Sequence, residues 1–98
     1  MSEAGTSDAA TARQQGFALH AEQRLIEADA LFARAGAAYP RDPGLAFGLA
    51  QTRYELGHPA AELFAKVRAL APDNLDVARN QALALISEGR SGEARDLL

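Results

Sequence analysis

The chain has no cysteine and no tryptophan among its 98 residues, and its aromatics are four phenylalanines and two tyrosines. Without cysteine there is no disulfide, no thiol nucleophile and no cysteine-ligated metal, a composition compatible with a reducing cytoplasm, which is the default location. There is no basic excess either: 10 Lys and Arg stand against 13 Asp and Glu, for a net charge of -3. No basic stripe is available to neutralise a run of phosphates, so a nucleic-acid partner is not expected. Long apolar runs are missing too. No stretch approaches the roughly 18 apolar residues of a membrane span, and Met1 to Ala10 lack the cationic and apolar regions of a secretory signal. β-branched residues are few and alanine is abundant, which favours helix throughout. A chain of this length makes one domain that buries roughly 60 to 65% of its unfolded surface.

Motifs that carry chemistry are absent as well. There is no Gly-x-Gly-x-x-Gly, no phosphate-binding Gly-x-x-x-x-Gly-Lys and no Gly-x-Ser-x-Gly, and the carboxylates are scattered. The two histidines, His20 and His58, lie far apart in sequence, whereas a metal site normally needs about three converging ligands. Neither an enzyme nor a cofactor or metal site is expected within these residues.

What is present is a repeat. Ala60, Phe64, Val67 and Pro72 have the same offsets as Ala28, Phe32, Ala35 and Pro40, and a third copy begins with Ala94 and Leu98. A period in the low thirties with helical spacing inside each unit is the mark of stacked helical hairpins. Met1 to Thr6 lack a periodic apolar face and are expected to be a frayed tail, with residues 1–8 placed outside the domain and Ser7 or Asp8 capping the first helix. That helix runs to about Ala21 with a stripe of Ala12, Gly16 and Leu19, where Gly16 lets a neighbour approach closely. The second spans roughly Leu25 to Ala38 and buries Ala28, Leu31, Phe32 and Ala35. The turn between them has no glycine, so either Gln23 adopts a left-handed conformation or the two helices run together.

Pro40 ends the second helix, Asp42 caps the third, and Pro43 suits its first position, giving a helix over Pro43 to Leu56. Gly57 then supplies a left-handed C-terminal cap, and Pro59 opens a fourth helix that ends near Ala71. Asn74 or Asp73 caps a fifth helix from Leu75 to Glu88. Gly89 ends it, and Ser91 caps a short sixth helix. The fold class expected is therefore all-α: stacked antiparallel hairpins with five full helices and a short sixth, in repeats of about residues 9–42, 43–74 and a truncated 75–98.

These marks resemble the tetratricopeptide repeat, a helix-turn-helix unit of about 34 residues. The copies supply Gly16, Ala28, Phe32, Ala35 and Pro40; then Ala50, Ala60, Phe64, Val67 and Pro72; then Ala82, Gly89, Ala94 and Leu98. The chain departs from the pattern at Gln15, where leucine is usual, in the glycine-free first turn, in a second unit two residues short at Gly57-His58-Pro59, and in having no tryptophan. The resemblance implies that the first helix of each repeat lines a concave groove. Its inward positions carry over to Arg13, Phe17 and His20; Phe47, Gln51 and Tyr54; and Arg79, Leu83 and Ile86, with Asn80 beside them. Phe17, Phe47 and Tyr54 either form an apolar strip in this groove, with an arginine at each end, or pack as ordinary core. The family's clamp for acidic C-terminal tails is not matched, because Phe17 and Gly48 stand at its asparagine positions and Asp76 with Asn80 at its second pair of cations. A carboxylate beside Asp76 would be repelled.

The function expected is a non-catalytic scaffold that binds an apolar or amphipathic protein segment. Two alternatives stand beside it. Bacterial chains with such repeats often join them to oxygenase or sulfotransferase domains, which makes an N-terminal docking or regulatory part of a larger enzyme the first. The second is a self-association module: helix 6 is too short to cover Leu83, Leu85 and Ile86 of helix 5, so either the chain continues past Leu98 or it associates through its C-terminal hairpin.

Overall fold

A computed structural model describes residues 4–97, with side chains from residue 8 onward. Among these residues there are six helices and no strand: α1 (Ala4–Ala21), α2 (Leu25–Ala38), α3 (Pro43–Glu55), α4 (Ala61–Leu70), α5 (Leu75–Ser87) and α6 (Ser91–Leu97). The part of the expected tail at residues 1–3 lies outside the described residues, as does the repeat position at Leu98. α1 starts at Ala4, so Ser7 and Asp8 sit within the helix instead of capping it.

The turns repeat as strictly as the helices. Within the first hairpin, Gln23 takes φ 63°. Its amide donates to His20 O at 3.0 Å, and the next amide, of Arg24, reaches back to Leu19 O at 2.9 Å. The same two bonds recur at Gly57 (φ 84°) and at Gly89 (φ 77°), where His58 donates to Arg53 O and Arg90 to Leu85 O. This left-handed stop satisfies two carbonyls that the helix end would leave unpaired. Gln23 adopts it although it is not glycine, at a backbone cost of about 1 kcal/mol, and it is this residue that separates α1 from α2.

The joints between hairpins form a second repeated turn. Asp42 Oδ1 accepts the Leu45 amide at 3.0 Å, and Asn74 Oδ1 accepts the Asp76 amide at 3.0 Å, each capping the helix that follows. Asp42 donates its own amide to Tyr39 O, and Asn74 does the same to Ala71 O.

Besides the start of α1, two helix starts differ from expectation, and α3 and α5 each end one residue early, at Glu55 and Ser87. α4 begins at Ala61, not at Pro59, with Ala60 as the cap residue. Its first free amides, those of Ala60 and Ala61, both donate to Glu88 Oε2 at 2.9 Å. The cap is thus brought in from the end of α5, a contact that no local sequence pattern encodes. α6 begins at Ser91 itself, with Arg90 O accepting the Ala94 amide. Ser91 is therefore the first helical residue and not the cap.

Packing follows the chain. Each helix touches the next, α1 also touches α3, and α3 also touches α5; among the described residues α2 does not meet α4, nor α4 α6. The body is elongated, 50 by 27 by 18 Å. Its core falls into two clusters that divide along α3. Ala12, Ala28, Phe32, Ala35 and Leu45 form the first, while Phe64, Val67, Val77 and Leu85 anchor the second among alanines. Phe32 is fully buried because both neighbours lack a side chain where its ring lies: a Cβ at Gly16 of α1 or at Gly48 of α3 would come within 2.4 Å of the ring. Leu31, expected on the same buried face, is only half-buried.

Candidate interaction groove

The odd-numbered helices are the ones that meet their counterparts in the neighbouring hairpins, so α1, α3 and α5 form one continuous side of the molecule. The residues carried over from the repeat pattern lie on these three helices, and their surroundings divide them into three groups.

The aromatics are half-buried, each with one edge on the core. Phe17 meets the Phe32 ring edge-on, with centroids 5.0 Å apart and planes at 63°. Phe47 meets Phe64 in the same way at 6.1 Å and 67°. Tyr54 packs against the second core cluster. Edge-to-face contact of this kind fixes ring orientation and adds to simple burial. Gln51 and Asn80 are half-buried.

The basic side chains are engaged within the chain. Arg13 pairs through Nη1 with Asp42 Oδ2, and its stem lies so close to Gly44 that a Cβ there would come within 2.5 Å of Arg13 Cδ. Arg79 reaches Asp76 Oδ1 at 3.3 Å, one turn away on the same helix, with both side chains well exposed. His20 places Nε2 3.0 Å from Glu55 Oε2, bridging α1 and α3, although the approach lacks hydrogen-bond geometry and the nitrogen is shut away from solvent. This contact brings one α1 residue of the carried-over set directly against α3.

The aliphatic residues of α5 are open. Leu83 is 45% exposed and Ile86 52%, whereas Leu85, between them in sequence, is buried in the second core cluster. The helical spacing puts Leu83 and Ile86 on one face and turns Leu85 away.

Two further features have no counterpart in the sequence reading. A cavity of about 410 Å³ opens where α3, α4 and α5 meet, lined by Gly44, Phe47, Val67, Asn74, Asp76 and Val77. On the side of the even-numbered helices, a cleft of about 240 Å³ lies between α2 and α4, with Ala33, Ala37, Leu63 and Lys66 on its walls and Leu45 and Leu49 of α3 in its lining. The register of the repeats could have pointed to the first, because Gly44 of one joint is replaced by Asp76 in the next.

Inter-helix polar contacts hold these surfaces in place. Arg53 grips Asp29 with two nitrogens, at 2.9 and 3.2 Å, tying α3 to α2. The Asp29 carboxylate raises the Arg53 pKa further above its already high value. Glu88 is held below its ordinary pKa, first by the Ala61 amide, then by the Ala60 amide and by Arg90, against the opposing effect of its own burial. Arg90 also bridges Glu62 and Glu93.

Among the described residues no group of three or more His, Cys, Asp and Glu side chains is arranged to hold a metal ion. No described helix is long and apolar enough to cross a membrane. Comparison with protein-family models, with curated proteins and with solved structures finds no match.

Proposed function

We propose that the chain is a tetratricopeptide-like helical solenoid that binds an apolar or amphipathic protein segment along α1, α3 and α5, as a non-catalytic scaffold of the cytoplasm. The observation that carries this reading is the contact pattern: odd-numbered helices meet across hairpins while even-numbered helices do not. Stacked hairpins that converge on one side and splay on the other curve around the converging side. The recurring left-handed turns at Gln23, Gly57 and Gly89 and the recurring caps at Asp42 and Asn74 support a repeated unit. Along the converging side, the half-buried rings of Phe17, Phe47 and Tyr54 and the exposed Leu83 and Ile86 offer an apolar strip. Large amphipathic and apolar side chains of this kind dominate peptide interfaces.

A displayed library of random peptides selected on the immobilised protein tests the reading. Selected peptides should be amphipathic and should shift the amide resonances of α1, α3 and α5. Shifts centred on Leu63 and Lys66 would move the site to the outer cleft and overturn the proposal.

A second reading has its own support. Leu83 and Ile86 are both about half exposed on one face of α5, which favours self-association through the C-terminal hairpin. Membership of a larger enzyme, for example one with an oxygenase or sulfotransferase domain, would place the same groove against another domain of that chain.

A further inference from the structure

The two joints between hairpins are built alike, yet they differ in what fills the space beside them. At the first, Asp42 caps α3, Gly44 follows it, and Arg13 comes across from α1 to pair with Asp42 while lying along Gly44. At the second, Asn74 caps α5 in the place of Asp42, and Asp76 stands in the place of Gly44. The repeat position that holds Arg13 in the first unit holds Phe47 in the second. The joint thus keeps one carboxylate, moved from the cap to the second helical residue, gains an aromatic wall and loses the guanidinium that reaches across from the preceding hairpin. The space beside it is open: the cavity of about 410 Å³ has Phe47, Val67 and Val77 as apolar lining and Asn74 and Asp76 as its polar members.

We propose that this cavity takes the guanidinium of an arginine from the bound segment, so that the partner supplies at the second joint what Arg13 supplies at the first. The inference rests on the groove reading and names its specificity. A planar, weakly hydrated guanidinium suits a site that combines an aromatic ring with a carboxylate, better than a compact, strongly hydrated ammonium does. The first joint shows that a guanidinium is held beside a helix N-terminus when a carboxylate caps it, as Asp42 does. At the second joint the cap is the neutral Asn74, and Asp76 supplies the negative charge. Asp76 is already approached by Arg79, through one nitrogen at 3.3 Å. That pair is exposed at both ends, so salt screens it, and an incoming arginine competes with it on favourable terms because it also gains the Phe47 wall.

The test titrates the full chain with three capped peptides of leucine, alanine and glutamine that differ at one central position: arginine, its neutral isostere citrulline, or glutamate. Amide shifts are followed at low salt. The arginine peptide should bind about fivefold more tightly than the citrulline peptide. The glutamate peptide should bind most weakly, and the largest shifts should fall at Gly44, Phe47 and Val77. Asp76→Asn, at an exposed position, should remove the arginine preference, and Arg79→Ala should increase it. Equal affinities for arginine and citrulline, or a preference that survives Asp76→Asn, would overturn the proposal while leaving the groove itself in place. If none of the three peptides shifts α1, α3 or α5, the proposal falls together with the groove.

Discussion

Glu88 accepts the Ala61 amide on Oε2 at 2.9 Å, and the Ala60 amide on the same oxygen, so the residue that follows one hairpin's first helix caps the second helix of the hairpin before it. Helices here touch only the next helix or the next but one along the chain, and this contact locks the third hairpin to the second through charge-assisted hydrogen bonds.

Replacing Glu88 by alanine leaves two amides of α4 without their acceptor and should cost about 1 to 2 kcal/mol in urea unfolding. The pH dependence has a definite sign. The folded-state pKa lies below the ordinary 4.5, so the stabilisation is complete above that value and is lost as pH falls through the folded-state pKa. Wild type and the alanine variant should therefore converge in stability as the solution is acidified below the ordinary glutamate range. A gap that stays constant through that range would show that the carboxylate charge contributes nothing.

Glycine has opposite meanings at two helical positions. A Cβ at Gly48 meets the Phe32 ring at 2.4 Å, while one at Gly36 meets nothing within 4 Å. Gly48→Ala should destabilise by about 1 to 3 kcal/mol through overpacking. Gly36→Ala should stabilise by about 0.5 to 1 kcal/mol through helix propensity and a less flexible unfolded chain. Thermal unfolding of both variants decides this, and a second change, Phe32→Leu, should recover part of the Gly48→Ala loss if the ring is the cause.

Self-association, if it occurs, should depend on Leu83 and Ile86 and not on Leu85, which is buried at 3% exposure. Sedimentation over a concentration series should show a wild-type oligomer dispersed by Leu83→Gln with Ile86→Gln, with helicity unchanged. Leu85→Gln is expected instead to unfold the C-terminal hairpin, because it buries an amide among Val77, Ala82 and Ala94. A wild type that sediments as a monomer at every concentration would remove this alternative.

Much of the helical layout was legible in the sequence, because local chemistry fixes it. Gln23 had either to turn left-handed or to let two helices merge, and it turns left-handed. Asp42 was readable as a cap from its type and place, and of the two candidates Asp73 and Asn74 it is Asn74 that caps α5. One misreading arose where a distant residue decides: Pro59 looked like a helix start, but the free amides of α4 face Glu88, and the helix opens two residues later. The residues carried over from the repeat pattern came without their surroundings. The resemblance singled out Arg13, His20 and Phe47, which lie on the odd-numbered helices, yet it could not show that Arg13 is already paired with Asp42 or that His20 faces Glu55. Helical spacing separates Leu85 from Leu83 and Ile86, but it does not say which of the two faces is covered, since that depends on how α4 and α6 pack on α5.

The claim that α1, α3 and α5 carry the binding surface is tested most directly by calorimetry with a library-selected peptide against two variants. Phe47→Ala removes a ring that lies half-exposed on α3, and Leu63→Ala trims the wall of the outer cleft. With both variants shown to be folded by circular dichroism, Phe47→Ala should weaken binding by about 1 to 3 kcal/mol and Leu63→Ala should leave it unchanged. Unaltered affinity in Phe47→Ala together with loss of binding in Leu63→Ala would contradict the account.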